Sequence, residues 1–311
     1  MSIQWFPGHM YKTRKKMQER LRSIDLVIEV LDARLPSSSL NPLIERITGD
    51  KIKLKLLNKA DLADPIVTKL WLEYFTTQQV DTRALAITSN NRLEKERLIS
   101  HCRSLLPHRG GIDKPLRIMI CGIPNVGKST LINQLAGRVV AKAANEAGIT
   151  QDEQRIVLKE DVWLYDTPGM LWEKISIPEN GYRLAIAGSV GKRAYNPEEA
   201  ALHLLSYLKK HYQDCLVERY SLEPWQQARP AAEDWLYFIA EKRGTFTSAR
   251  RVDYQRASEL ILQDFRSGKL GLISLERPSE WLCWQQAAAQ ESDRLKGQKE
   301  KKQWRKTLKE L

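Results

Sequence analysis

The sequence predicts an α/β fold in which a mostly parallel sheet, with helices on both faces, is followed by a smaller all-α domain. Two observations support this prediction. Apolar, strand-like runs alternate with helical patterns from residue 24 to residue 166, as they do in chains that build parallel sheets. After residue 169 the strand-like runs stop and helical patterns follow. A chain of 311 residues is long enough for two domains with sizeable cores.

The elements of the first domain can be assigned in chain order. A basic helix is expected at residues 10–21. Strands are expected at residues 24–31, 53–57, 116–121 and 162–165, with a helix at residues 129–136. Residues 107–115 contain Gly110 and Gly111 and are expected to form a loop.

The later part of the chain has a different pattern. Residues 175–197 are expected to be irregular, and they carry Arg183, Lys192 and Arg193. Three or four helices are expected beyond them, near residues 197–212, 231–242, 253–267 and from residue 278 onward. Most of Trp225, Trp235, Trp281 and Trp284 are expected to pack in the core. The predicted segments are a basic N-terminal segment (1–22), a sheet domain (23–190), a helical domain (191–290) and a basic tail (291–311).

A glycine-rich loop follows the expected strand at residues 116–121. Its sequence, Gly122-Ile123-Pro124-Asn125-Val126-Gly127-Lys128-Ser129, matches G-x-x-x-x-G-K-[ST] completely. Between a strand and a helix, its N–H groups and the helix N-terminus would face phosphates. Lys128 would bridge the β- and γ-phosphates during catalysis, and the Ser129 hydroxyl would bind Mg²⁺. The nucleotide-binding residues expected in this loop are Asn125, Val126, Gly127, Lys128, Ser129 and Thr130.

A second motif, Asn58-Lys59-Ala60-Asp61, follows the expected strand at residues 53–57. The Asp61 carboxylate can accept hydrogen bonds from both N1–H and N2–H₂ of guanine, whereas adenine offers neither group. Lys59 would lay its stem along the purine, and Asn58 would brace the phosphate loop. Thr88 and Ser89, in the run Ala86-Ile87-Thr88-Ser89, would provide a backbone contact to guanine O6. The sequence therefore predicts a guanine nucleotide, GTP or GDP.

Asp166-Thr167-Pro168-Gly169 ends the last expected strand. Asp166 would hold Mg²⁺ through water, and the Gly169 N–H would meet the γ-phosphate. Thr150 lies between this motif and the phosphate loop. It is either a catalytic threonine that binds Mg²⁺ when GTP is present or an ordinary polar loop residue.

The position after Gly169, where many GTPases place a water-orienting glutamine, is Met170. A thioether cannot orient water, so the intrinsic hydrolysis rate is expected to be low. Asn125 can help hold K⁺ near the phosphates, or it can simply satisfy the backbone of its loop. The sequence leaves both roles open.

The base-reading motif precedes the phosphate loop, which reverses the usual order and predicts a circularly permuted P-loop GTPase domain. With Trp5-Phe6-Pro7-Gly8-His9-Met10 and Asp32-Ala33-Arg34, this order resembles the ribosome biogenesis GTPase A family. The resemblance is close over about the first 190 residues. In the remainder it lies in the arrangement of the expected elements more than in shared motifs.

The resemblance implies a GTPase that helps to mature the large ribosomal subunit, with a helical domain that binds ribosomal RNA. It also implies that His9 assists hydrolysis in place of the missing glutamine. The run Thr88-Ser89-Asn90-Asn91 departs from the form usual in the family.

The composition agrees with this interpretation. A formal net charge of +12 and a pI near 9.5 favour a polyanionic partner. No apolar run approaches the roughly 20 residues of a spanning helix, and the N-terminus lacks the pattern of a signal peptide. The four cysteines show no metal-binding spacing and are expected to be reduced, most of them buried. We expect a cytoplasmic monomer without membrane association.

Two basic segments are candidates for RNA contact. One is the expected N-terminal helix, with Lys12, Lys15 and Lys16, although a solvated face explains these charges equally well. The other is the stretch 243–251, with Arg243, Arg250 and Arg251, which could instead be a capped turn between helices. Three functions stay open: a GTP-hydrolysing ribosome assembly factor, a GTPase acting on another RNA such as transfer RNA, and an RNA-binding protein with a structural nucleotide site.

Overall fold

The computed structural model describes residues 9–78, 82–88, 92–111, 113–141, 154–159, 161–172, 175, 177–290 and 294. Its strands form one six-stranded sheet in the order β3-β2-β1-β4-β6-β5. The strands are β1 (Leu26–Asp32), β2 (Ile52–Asn58), β3 (Thr82–Ala86), β4 (Leu116–Cys121), β5 (Gln154–Lys159) and β6 (Val162–Asp166). Every neighbouring pair is parallel except β5 with β6. The predicted mostly parallel sheet is confirmed.

Helices precede, cover and follow this sheet. Those up to the end of the sheet are α1 (His9–Leu21), α2 (Pro36–Ser39), α3 (Pro42–Thr48), α4 (Pro65–Gln78), α5 (Arg92–Leu105) and α6 (Lys128–Ala136). Those after it are α7 (Pro178–Ile186), α8 (Pro197–His211), α9 (Gln213–Tyr220), α10 (Pro224–Gln227), α11 (Ala232–Lys242), α12 (Tyr254–Arg266) and α13 (278–290). Short 3-10 turns occupy Ala60–Leu62 and Lys192–Ala194.

The centre of the sheet explains why its strands could be recognised from sequence. β1 is buried along its whole length and pairs with β2 on one side and β4 on the other. A strand covered on both faces needs apolar side chains nearly throughout, which produces a continuous apolar run. The phosphate loop follows β4, which lies between β1 and β6 in the sheet. β1 comes well before β4 in the chain, and β6 comes after it.

The expectation that residues 175–197 are irregular was wrong for residues 178–186. Residues 178–186 form α7, which begins with a proline in its first turn and buries Leu184 and Ile186. Gly181 within the helix and a buried arginine, Arg183, hid its amphipathic pattern. Lys192 and Arg193, by contrast, are exposed in the following 3-10 turn.

The helices after residue 190 pack around α8, which contacts α7, α9, α11 and α12. All four helices expected there are present, and α9 and α10 were not foreseen. Trp235 is fully buried, but Trp225 is 60% exposed, so the expectation of core packing fails for Trp225. The expectation for cysteines also fails in part, because Cys102 and Cys121 are buried while Cys283 is exposed. The predicted domain boundary at residues 190 and 191 stays a prediction.

After α12 the chain returns to the sheet and docks there. The N–H of Ile273 donates to Leu62 O at 3.1 Å, and the N–H of Leu275 donates to Arg34 O at 2.7 Å. The carboxylate of Glu276, fully buried, accepts from the N–H groups of Ser37 and Ser38 at the start of α2. We call residues 268–277 the return segment. It attaches the helical part to the sheet.

Within the part of the chain that the structure describes, no helix is both long and apolar enough to cross a membrane.

Candidate functional site

The sequence motifs meet at one edge of the sheet, where the parallel strands end. Asp32, Asn58 and Asp166 are the last residues of β1, β2 and β6, and the phosphate loop begins directly after β4. Ligands of open α/β sheets bind in the crevice outside the carboxyl ends of the strands. The permuted order of the motifs therefore still produces one site.

The phosphate loop is braced by the base-reading motif. Gly127, the N-cap of α6, has φ 95°, and a Cβ at this position would overlap the side-chain amide of Asn58. Glycine is therefore required where the two motifs touch. The Nδ2 group of Asn58 donates to Val126 O at 2.8 Å, which is the bracing contact expected of Asn58.

Lys128 lies folded over the loop that it follows. Its Nζ donates to Gly122 O at 3.1 Å and to Ile123 O at 2.7 Å. Burial lowers the pKa of Lys128 to about 8, although the nearby carboxylate of Asp166 acts in the opposite direction. A buried ammonium that donates to backbone carbonyls is ready to pair with a phosphate.

Asp166 lies beside the loop because β6 pairs with β4, where Asp166 is opposite Ile120. Its carboxylate is buried, and Oδ1 has no hydrogen-bond partner among the described residues. Burial raises the pKa of Asp166 to about 6, against the opposing effect of Lys128. A buried carboxylate oxygen left without a partner fits a site for a hard cation such as Mg²⁺. Ser129, the other loop residue expected to hold Mg²⁺, lies in the first turn of α6.

Gly169 passes close to the phosphate loop, since a Cβ there would lie 2.9 Å from Pro124 Cα. The next residue, Met170, donates its N–H to Gly122 O at 3.3 Å and buries its side chain in the core. Asn41, the N-cap of α3, donates from Nδ2 to Met170 O at 2.6 Å. The Met170 thioether is thus committed to packing, which agrees with the expected lack of a water-orienting side chain here.

The base-reading turn is tightly constrained. Lys59 has φ 61° in the left-handed region, and its Nζ donates to Asn125 O at 2.7 Å. Ala60 donates its N–H to Ile87 O at 3.2 Å, which joins this turn to the loop after β3. Asp61 is exposed and Thr88 is half-buried near the same loop. The turn therefore presents Asp61 outward while the lysine points back to the phosphate loop.

Asn125 also adopts a positive φ, 62°, and its Nδ2 donates to Gly188 O at 2.6 Å. This contact links the phosphate loop to the segment after α7. The accepting oxygen lies outside the loop of Asn125, so this contact decides between neither of its two expected roles, and K⁺ binding stays a proposal.

The contacts of Lys59 with its surroundings were not expected from the sequence. Asp32 accepts from Lys59 Nζ at 2.8 Å and from Arg34 Nη2 at 2.8 Å. Burial would raise the pKa of Asp32, but the charges of Arg34 and Lys59 outweigh it and hold that pKa well below its usual range. In the sequence, Asp32-Ala33-Arg34 stands out only as part of the family resemblance. The spacing of these residues does not predict that Asp32 pairs with Lys59.

Four of the residues assigned from sequence lie wholly or partly outside the described residues. Thr150 and Ser89 are outside them altogether. His9 and Lys12 belong to α1, but their side chains are outside the description.

The basic residues proposed for RNA contact are on the surface where they are described. Lys15 and Lys16 are exposed on α1, while Met17 on the same helix is buried. Arg243, Arg250 and Arg251 are exposed in the connection between α11 and α12, where Phe246 is 43% exposed. Both segments therefore present positive charge to solvent.

Known proteins resemble this chain over most of its length. The family described as 50S ribosome-binding GTPase matches residues 117–227. Ribosome biogenesis GTPase A of Priestia megaterium is 40% identical over 288 residues, covering 90% of this chain and 98% of that protein. Mitochondrial ribosome-associated GTPase 1 of Mus musculus is 36% identical over 302 residues, covering 88% and 90%.

A solved structure agrees with the fold. GNP-bound YlqF from T. maritima matches with a TM-score of 0.60 and 26% sequence identity, covering 86% of this chain and 98% of that one.

Proposed function

The chain belongs to the ribosome biogenesis GTPase A family, and on that premise we propose that it is a GTP-hydrolysing assembly factor for the large ribosomal subunit. It binds the subunit precursor and its ribosomal RNA in the GTP state and leaves after hydrolysis. The names of its relatives support ribosomal particles as partners, since they include ribosome biogenesis and mitochondrial ribosome-associated GTPases.

The observation that carries the nucleotide assignment is the junction of two motifs far apart in the chain. Asn58 donates to Val126 O, and Lys59 donates to Asn125 O, so the base-reading turn is fixed onto the phosphate loop. This arrangement supports a ligand that has both a base and phosphates. We assign Asp61 to guanine N1–H and N2–H₂, and the Lys59 stem to the face of the purine. Ala60, Thr88 and Ser89 complete the base side of the proposed site.

On the phosphate side we assign Gly127, Lys128, Thr130 and Gly169 to the phosphates. Ser129 and Asp166 would hold Mg²⁺, with Thr150 joining them when GTP is bound. When bound, Mg²⁺ supplies positive charge that offsets the charge on the phosphate oxygens. The orphaned oxygen of Asp166 supports this assignment. K⁺ beside Asn125 would add a second positive charge.

Slow intrinsic hydrolysis follows from Met170, whose buried thioether cannot orient water. His9 is the proposed substitute, and α1, which starts at His9, is the basic helix that carries Lys12, Lys15 and Lys16. RNA contact by this helix would bring ribosomal particles close to His9. That proximity gives a physical reason for stimulation of the GTPase by large subunits.

The test is steady-state GTP turnover by the full chain with and without large ribosomal subunits, with small subunits and transfer RNA as alternative partners. Turnover should be slow alone and should rise with large subunits. His9→Ala should depress the stimulated rate but not nucleotide affinity, and His108→Ala, at an exposed loop histidine, is the matched control. Stimulation by transfer RNA alone would identify another RNA substrate. Absence of turnover with every partner would leave a structural nucleotide site.

A further inference from the structure

We propose that Asp32 and Arg34 form a positioning pair that holds Lys59 against the guanine base and transmits occupancy of the base site to the end of α12. The inference rests on the guanine site proposed above. It gives a role to the motif Asp32-Ala33-Arg34, which the nucleotide chemistry itself does not use.

The first step is the anchoring of Lys59. Its ammonium group lies between Asp32 Oδ2 at 2.8 Å and Asn125 O at 2.7 Å. An ammonium with two fixed partners determines the path of its four methylenes, and a purine stacks on those methylenes. Asp32 is therefore a positioning residue, because it acts on the base only through Lys59.

The second step is the pairing of Asp32 with Arg34. The Arg34 guanidinium donates from Nε to Oδ1 at 3.0 Å and from Nη2 to Oδ2 at 2.8 Å. Both residues are 1% exposed. A bidentate pair shielded from water keeps its geometry, and loss of either partner leaves an uncompensated buried charge. A displacement of Asp32 therefore also displaces Arg34.

The third step leads from Arg34 to the helical part of the chain. Arg34 Nη1 donates to Phe265 O at 3.1 Å, and its guanidinium lies 4.6 Å from the centroid of the Phe265 ring. The backbone oxygen of Arg34 accepts from Leu275 N–H in the return segment. Arg34 thus contacts both the end of α12 and the return segment. The same residue pairs with Asp32, and Asp32 in turn pairs with Lys59.

These contacts have a thermodynamic consequence. A base that fixes Lys59 also favours the arrangement of Asp32 and Arg34 in which α12 and the return segment are docked. By linkage, contacts that favour docking must tighten nucleotide binding by the same factor. This route starts at the base, so GDP engages it as well as GTP. It does not involve the γ-phosphate, which is assigned to Gly169.

The first experiment is a double-mutant cycle on the full chain, read by titration with GDP. Asp32→Asn should weaken GDP binding about tenfold in the natural sequence but leave it almost unchanged in a Lys59→Met background, because the two residues act in series. Additive effects would overturn the proposal. If Lys59→Met alone leaves GDP affinity unchanged, the guanine site itself is wrongly assigned, which is a different failure.

A second pair of variants works from the helical side, where the fold is less perturbed. Phe265→Leu removes the ring below Arg34 and should weaken GDP binding severalfold, although the substitution leaves Asp32, Lys59 and Asp61 unchanged. The matched control is Tyr212→Phe, which loosens the same junction by removing the contacts of its hydroxyl with Asp64 and Ser274 N–H. This control should leave GDP affinity unchanged. Equal losses from both variants would mean general loosening and would contradict a route through Arg34.

Hydrogen exchange supplies a readout independent of affinity. The N–H groups of Ile273 and Leu275 report docking of the return segment, since they donate to Leu62 O and Arg34 O. GDP should slow their exchange in the natural sequence and in Tyr212→Phe but not in Asp32→Asn. Slowing of the same size in Asp32→Asn would sink the proposed coupling.

Discussion

The two ends of the candidate site differ in how completely the protein satisfies its own charges. At the base end, the Asp32 carboxylate is already paired with both Arg34 and Lys59 before any ligand is bound. At the phosphate end, Lys128 rests on backbone carbonyls and Asp166 keeps one buried oxygen without a partner among the described residues. The base end is therefore preorganised. At the phosphate end, the Lys128 ammonium and the Asp166 carboxylate still lack the phosphate and the metal ion that would pair with them.

The largest expected effect is on stability, and it tests this difference with two variants that each remove one charge, one at either end of the site. Asp32→Asn should destabilise the nucleotide-free protein by about 3–5 kcal/mol, the usual cost of leaving a buried charge without its partner. Lys128→Met should cause no comparable loss, because burial already disfavours that ammonium. Chemical denaturation of both variants measures the difference. Equal destabilisation would show that the two ends are equally preorganised.

A smaller effect concerns what the preorganised end recognises. Asp61→Asn should shift preference from guanine to xanthine nucleotides, because the new amide can donate to the C2 oxygen of xanthine. The loss for GDP should be roughly 1–3 kcal/mol, the cost of a mispaired polar group. Competition between GDP and XDP measures the shift, and the stability of the free protein should hardly change since Asp61 is exposed. An unchanged ratio would remove Asp61 from the base site.

The smallest effect is a pH dependence at the base end. Because the folded pKa of Asp32 lies well below its unfolded value of about 4, its ionised form stabilises the fold above that pH. This stabilisation should decline progressively as the pH falls below about 4. Asp32→Asn should flatten that part of the stability curve, as measured by denaturation at several acid pH values. A variant that keeps the full acid dependence would show that other carboxylates cause it.

The parts of the fold that could be predicted are those whose signals are local in sequence. The phosphate loop, the base-reading turn and the buried strands β1, β2, β4 and β6 are each set by adjacent residues. Helix α7 escaped prediction because a glycine and a buried arginine interrupt its pattern. Arg183 is tolerated there because Glu276, Leu275 O and the ring of Trp284 lie next to it.

The roles of Arg34, Asn41 and Glu276 could not be predicted, since each depends on partners far away in the chain. Arg34 contacts a residue 231 positions later, and Asn41 one that is 129 positions later. Glu276 reaches back 238 positions to Ser38. No local pattern encodes such pairs. The three contacts nevertheless decide how the site is connected to the rest of the molecule.

The burial of Glu276 also determines when this protein can finish folding as it is synthesised. The sheet ends at residue 166 and the last nucleotide motif at residue 169, yet the N–H groups of Ser37 and Ser38 and the indole N–H of Trp71 find their acceptors at residue 276. Each such hydrogen bond contributes roughly 0.5–1.5 kcal/mol to stability once it has formed. A nascent chain that has exposed all its nucleotide motifs therefore still lacks these hydrogen bonds, and we expect the sheet to reach its full stability only after residue 276 has been synthesised.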